Sequence, residues 1–434
     1  MRIDIVHPGA YNLTYEIREI VAVAKKLEIL DVAINWENIG DPIAKDFSVP
    51  AWIKKIVQDL SEVDTAWGYS PTKGLLETRE YLADIRNNSG GVKISPEDIL
   101  FFNGLGDAIQ TSFMYLHPRA RVIGPSPAYP SHSSAEAAHA DSEHLTYKLL
   151  PDKGWLPDLH DLRQQLKYHP EITGILLINP DNPTGTVYPL EILEGMVSLA
   201  KEFDLFIMSD EIYGNIVYGK QKMISLSEVL GDVPGLTFKG LSKEIPWPGS
   251  RCGWVEFYNL DKDENFARFA KALVDAKQLE VCSTTLPQLA LPKILSHPNY
   301  QKHLQALNDK YCKRADFLEE MFKDVEEVIF VKPQGAFYAT PVFKSGVLNH
   351  EQTLPLTNEK VSDYINYITN NISPDRRFVY YLLATTGICV VPLSGLNSQL
   401  DGFRITLLEN DFKKFKQTAK DLVTAIKCYL QSTK

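Results

Sequence analysis

Gly235-Leu-Thr-Phe-Lys-Gly-Leu-Ser-Lys-Glu-Ile-Pro-Trp-Pro-Gly-Ser-Arg-Cys-Gly-Trp254 decides how the rest of the chain is read. Its apolar start, Gly235–Phe238, predicts a buried strand, and Lys243 lies just beyond it. Arg251 follows between Gly249 and Gly253. A lysine at a strand end can be held away from bulk water, which lowers its pKa and frees its amine as a nucleophile. An arginine fixed between glycines brings a planar fork of donors onto a phosphate or carboxylate. The pair suits a ligand carrying both an aldehyde and a phosphate, which points to pyridoxal phosphate.

Working outward, the flanking sequence alternates between two periods. Helical spacing over Asp158–Tyr168 gives way to the apolar run Gly174–Ile178, then to a helix over 189–203 and a strand over Leu205–Met208. Such alternation predicts an α/β fold with a mostly parallel sheet flanked by helices. Ligands in such sheets lie beyond the carboxyl ends of the strands. Asn182, Asp210 and Lys243 each follow a strand, at intervals of 28 and 33 residues, so one crevice can receive all three. Upstream, Phe101-Phe-Asn-Gly-Leu-Gly-Asp-Ala-Ile109 runs from a strand into a helix through two glycines. The free N–H groups and dipole of such a helix start suit an anion. Arg121-Val-Ile-Gly-Pro-Ser-Pro-Ala-Tyr129 is a further strand followed by a turn.

The ends of the chain read differently. Residues 15–30 predict an amphipathic helix, Val32–Asn35 a short strand and Asn38–Pro42 a turn, with helices over 51–62 and 74–88. Beyond Trp254 come helices at 262–280 and 285–296 and a long one over Tyr300–Phe322. The remainder predicts a smaller α+β domain, with strands at Val328–Val331, Gly335–Thr340, Ile388–Val391 and Phe403–Leu407 and a polar insert at 344–360. The expected division is 46–298 for the large domain, and 1–45 with 299–434 for the small one.

Composition narrows the class. The 434 residues are 44% hydrophobic and 23% charged, an ordinary globular balance. A net charge of −10 argues against nucleic acid or an anionic membrane as partner. Five scattered cysteines (Cys252, Cys282, Cys312, Cys389, Cys428) carry no metal-type spacing and read as reduced thiols. With no apolar leader at the start, the expectation is a cytoplasmic protein with no metal.

Gly-Leu-Ser-Lys243 followed by Pro-Gly-Ser-Arg-Cys-Gly-Trp254 resembles the lysine segment of the class I/II aminotransferases, fold type I pyridoxal-phosphate enzymes. Asn179-Pro-Asp-Asn-Pro-Thr-Gly185, Ser209-Asp-Glu-Ile-Tyr213 and Gly402-Phe-Arg-Ile-Thr406 match the same family in the same order. The resemblance implies a role for each matched residue. Lys243 would hold the cofactor aldehyde and act as acid and base, Asp210 would pair with the ring nitrogen, and Tyr213 and Asn182 would bond its phenolic oxygen. Tyr129 would stack on the ring. Gly106, Asp107, Ser242 and Arg251 would lie about the phosphate, with the Asp107 side chain turned away, and Tyr69 would reach the phosphate of a partner subunit. Arg404 would bind the substrate carboxylate, with Asn182, Gly40, Tyr15 and Arg18 beside the substrate. Tyr-Glu-Ile-Arg18, Trp155-Leu-Pro-Asp158 and Thr386-Gly-Ile-Cys-Val-Val-Pro392 look most like the alanine-aminotransferase branch. The implied protein is a homodimeric transaminase using alanine and 2-oxoglutarate. A tyrosine-type transaminase and a carbon–sulfur β-lyase on the same fold are the alternatives.

Overall fold

The computed structural model describes residues 5–13 and 17–432. A first short strand, β1 (Asn35–Trp36), is followed by the strands of the large sheet: β2 (Ile99–Phe102), β3 (Arg121–Ser126), β4 (Thr146–Leu150), β5 (Leu156–Pro157), β6 (Ile172–Ile178), β7 (Phe206–Asp210), β8 (Gly235–Gly240) and β9 (Gly253–Tyr258). They form an eight-stranded sheet in the order β2-β9-β8-β7-β6-β3-β4-β5. From β8 through β4 all neighbours run parallel, and only β9 and β5 run against them.

The central strands are near-continuous apolar runs because helices cover both faces of the sheet. Ile175, Leu177 and Ile207 join the core on one face, and Leu176, Met208 and Leu236 the core on the other. Covering helices start where the sequence supplies a cap. The Asp158 carboxylate accepts from the N–H groups of His160 and Asp161 to open Leu159–Tyr168, and Asp263 accepts from Phe266 to open Glu264–Glu280.

The smaller part holds β10 (Val328–Ile329), β11 (Tyr338–Ala339), β12 (Val342–Phe343), β13 (Ile388–Cys389), β14 (Val391–Pro392) and β15 (Phe403–Thr406). β11, β15 and β14 form an antiparallel sheet, while β1 pairs parallel with β13. Helices Ile17–Ile29, Tyr300–Phe322, Pro374–Thr386 and Phe412–Gln431 surround these strands, and side chains from all four meet in one core. The fold is therefore the expected α/β large domain with a smaller α+β domain.

Several elements differ from the sequence reading. The strand expected at Val32–Asn35 is Asn35–Trp36, and that expected over Gly335–Thr340 is only Tyr338–Ala339. Three features were not anticipated: β9, the β4–β5 hairpin and the helix Pro130–Ala140. In β9 the apolar pattern is interrupted by Glu256, yet that carboxylate is buried and accepts from Trp254 Nε1 (3.0 Å) and the Tyr258 hydroxyl (2.7 Å). The helix Pro130–Ala140 is rich in Ser, His and Ala and carries almost no apolar stripe. Its inward contacts are polar: Glu136, fully buried, pairs with Arg121 at 2.6 Å and with His144 at 3.0 Å.

Candidate active site

Five strands of the large sheet deliver their carboxyl ends to one edge, and the loops leaving them wall a cavity of about 430 Å³. β6 ends beside β7 with Ile178 opposite Asp210, and Asp210 lies opposite Phe238 of β8. Asn182 and Lys243 follow within a few residues. From the other side, the segment after β1 brings Asn38, Gly40 and Asp41, β11 brings Tyr338 and β15 brings Arg404.

Lys243 is half-buried. Its Nζ donates to the Gly40 carbonyl at 2.8 Å and lies 6.0 Å from the Tyr213 ring centroid and 5.7 Å from that of Phe337. Desolvation pulls its pKa down to about 8, against the opposing pull of Asp41 and with help from Arg404. The backbone at Gly40 approaches the Tyr338 hydroxyl so closely that a Cβ there would force one of them to shift.

Asp210 is 3% exposed. Its Oδ1 accepts from the Ile212 N–H at 3.1 Å, and Oδ2 faces His132 Nε2 at 2.9 Å. His132, wholly buried, has no partner on Nδ1 and sits edge-on to Tyr129, Phe113 and Phe238. Tyr129 is half-buried and lines the cavity. The Tyr213 hydroxyl lies 3.1 Å from that of Tyr338, and burial pushes both phenols above their ordinary pKa.

Arg404 is 2% exposed. Nη1 donates to Asn182 Oδ1 (3.1 Å), Nη2 to the Asn38 carbonyl (2.9 Å), and the guanidinium lies over the Tyr338 ring at 4.5 Å. Nε has no partner, and no carboxylate among the described residues lies within ion-pair distance. A buried cation without an anion is costly, so this one is suited to an anionic ligand. Behind it, Lys45 Nζ donates to Glu37 Oε1 (3.1 Å), and Glu37 Oε2 accepts from Thr406 Oγ1 (3.1 Å). That clasp ties the segment carrying Asn38 and Gly40 to the strand carrying Arg404.

At the opposite end, Gly104 (φ +84°) opens the helix Leu105–Met114. A Cβ on Gly104 would meet Arg251 Nη2 at 2.5 Å, so the guanidinium packs directly on that backbone, while Gly106 faces open space. Arg251, Ser242, Gly106 and Arg18 all line the cavity. Asp107 does not. Its Oδ2 accepts from the Asn103 N–H at 2.9 Å and pairs with Lys277 at 3.0 Å. Tyr69 stands 86% exposed, away from the cavity. Tyr15 lies outside the described residues.

The residues present fit pyridoxal phosphate. An amine of depressed pKa, a buried carboxylate, an aromatic wall, a helix start beside an arginine and an unpaired guanidinium line the same space. The sequence reading missed three contributors. Tyr338 touches Tyr213, Gly40 and Arg404; its only sequence signal was an aromatic in a strand. His132 sits in a Ser-rich stretch that gave none. Asp41 was read only as part of a turn.

A sequence profile described as aminotransferase class I and II matches residues 37–411. The chain is 52% identical over 432 residues, spanning 100% of both proteins, to an uncharacterized aminotransferase of Methanocaldococcus jannaschii. It is 30% identical over 339 residues to the glutamate-pyruvate aminotransferase AlaA of Escherichia coli, covering 76% of this chain and 80% of that one. Among solved structures, the alanine aminotransferase from Pyrococcus furiosus matches with a TM-score of 0.84 at 25% identity, over 98% of this chain and 100% of that one.

Proposed function

The chain belongs to the class I and II aminotransferases, pyridoxal-phosphate enzymes that act on amino and 2-oxo acids, and from that premise we propose that it exchanges the amino group between L-alanine and 2-oxoglutarate. The observation that supports amino transfer is the meeting of Lys243, Asp210 and Arg404 at one cavity of about 430 Å³. The similarity to the Pyrococcus furiosus alanine aminotransferase supports alanine, and that to the Escherichia coli glutamate-pyruvate aminotransferase supports the same pair of reactants taken in the reverse direction.

Bound pyridoxal phosphate supplies an aldehyde that takes up the substrate amine and an electron-poor ring that weakens the bonds at the substrate α-carbon. Lys243 would hold the aldehyde and, when free, hold and move the α-proton at Nζ. A pKa of about 8 leaves its neutral form available near neutral pH. Asp210, fixed by Ile212 and His132, would keep the ring nitrogen protonated. Tyr213 would donate its phenolic proton to the ring oxygen, and Tyr129 would cover one ring face. Asn182, whose Oδ1 holds Arg404, would serve both the ring oxygen and the aim of that arginine.

Arg404 would receive the substrate α-carboxylate, with Nε still unpartnered. Arg18, at the same cavity, would meet the distal carboxylate of 2-oxoglutarate. The backbone from Gly104 to Asp107, with Ser242 and Arg251, would hold the phosphate. On the same reading residues 46–298 form the cofactor domain, residues 1–45 and 299–434 form the domain that brings Arg404, and a second copy of the chain supplies Tyr69.

The test is a panel of amino donors against 2-oxoglutarate and pyruvate, followed through the absorbance of the bound cofactor. Alanine should convert the cofactor in a half-reaction, and 2-oxoglutarate should restore it with glutamate as product. Absence of amino transfer from every donor would remove the reading. Ammonia and pyruvate released from a thioether without an acceptor would replace it with the β-lyase.

A further inference from the structure

Behind the phosphate cradle lies a charged cluster that the mechanism above leaves unused, centred on Asn103. Each polar group of Asn103 goes to a different element. Its N–H donates to Asp107 Oδ2 (2.9 Å), and its carbonyl accepts from Arg251 Nη2 (3.3 Å). Its side-chain amide donates to Glu280 Oε1, and its side-chain oxygen accepts from the Thr284 N–H (3.1 Å). Thr284 Oγ1 in turn donates to the Arg251 carbonyl at 3.1 Å. Lys277 closes the cluster. It is 1% exposed, donates to Asp107 Oδ2 at 3.0 Å, pairs with Glu280 and lies 5.1 Å from the Phe102 ring centroid.

The charges explain why such a lysine is needed. Asp107 lies in the first turn of the helix whose start would face the phosphate, next to Gly106 on the cavity wall. Its carboxylate suits the helix dipole but repels a second anion at the same end. With Lys277 and Arg251 present, Asp107 and Glu280 are balanced charge for charge. Without Lys277 the cluster presents a net negative charge to a dianion, and Glu280 loses the cation that holds it on Asn103. The geometry points to Lys277 as a positioning residue for the cofactor phosphate. It cancels the Asp107 carboxylate and, through Glu280 and Asn103, steadies Arg251 against Gly104. This inference rests on the reading that Arg251 and the Gly104–Asp107 backbone hold the phosphate.

The experiment titrates the apoenzyme with pyridoxal phosphate and with pyridoxal, which lacks the phosphate, and measures inorganic phosphate as a competitor. Lys277→Met should weaken pyridoxal phosphate by about tenfold or more while leaving pyridoxal within about twofold, and Lys277→Arg should retain wild-type affinity. Asp107→Asn keeps an oxygen for the Asn103 N–H and removes the charge; it should bind inorganic phosphate about twofold to threefold more tightly. Equal weakening of both cofactor forms in Lys277→Met, or no weakening, overturns the inference in favour of a helix-to-helix tie. If Lys277→Met does not fold, unchanged phosphate affinity in Asp107→Asn overturns it alone. Undiminished pyridoxal phosphate affinity in Arg251→Met would overturn the underlying phosphate assignment, and the inference with it.

Discussion

Lys243 is held away from bulk water, and this desolvation costs its ammonium form more than the Gly40 carbonyl and the faces of Tyr213 and Phe337 return to it. The folded pKa of about 8 lies below the ordinary 10.5. Between those values the unfolded chain binds the extra proton, so this group makes the apoenzyme more stable as pH rises from about 8 to 10.5. Lys243→Met should abolish transamination and flatten that rise in apoenzyme melting temperature measured across the same pH range. Arg404 poses a geometric demand. Two of its nitrogens are held by Asn182 and Asn38, which fixes the plane of the fork. Arg404→Lys keeps the charge but loses the plane, and kcat/KM for alanine should fall by about a hundredfold. Steady-state kinetics with equal losses for alanine and for an amine lacking a carboxylate would argue against this role.

Among the elements, the short segment after β1 is the most constrained. The Asn38 carbonyl holds Arg404, the Gly40 carbonyl holds Lys243, and the clasp of Glu37, Lys45 and Thr406 sets their position. Gly40→Ala drives a methyl into the Tyr338 hydroxyl, so the segment or Tyr338 must move. Thermal and chemical denaturation should show a loss of about 1–3 kcal/mol, and KM for both substrates should rise. The turn around Gly40 was legible in the sequence because Gly and Pro mark it. The identity of its neighbour was not, since Tyr338 lies some three hundred residues away. The unforeseen helix Pro130–Ala140 shows the same limit. Residues such as His132 and Glu136 look exposed by type, and only their partners Asp210 and Arg121 make them internal.

For the whole molecule, the cavity is built from two unlike halves: strand ends of the parallel sheet on one side, and the segment after β1 with β11 and β15 on the other. Among the described residues no helix is long and apolar enough to cross a membrane. Trp67, Tyr69, Leu76 and Leu279 are instead large side chains left half or more exposed. A homodimer reading predicts twice the chain mass by light scattering. It further predicts that Tyr69→Ala weakens cofactor binding although Tyr69 does not line the cavity of its own chain. Unchanged affinity in that variant would separate Tyr69 from the phosphate.

What the sequence determined by itself was the class of fold and the grouping of side chains at the strand ends. Apolar runs alternating with helical periods specify a parallel sheet, and a parallel sheet sends every strand end to one edge, so Asn182, Asp210 and Lys243 were already grouped. What tertiary structure decided was everything that depends on approach between distant segments. Examples are the bonds of Arg404 with Asn182 and Asn38, the His132 support of Asp210, the Tyr213–Tyr338 contact and the turning of Asp107 towards Lys277. Periodicity reports how a segment faces its nearest layer. It carries no information about which remote side chain satisfies a buried charge, because that choice is made only when the layers close on one another.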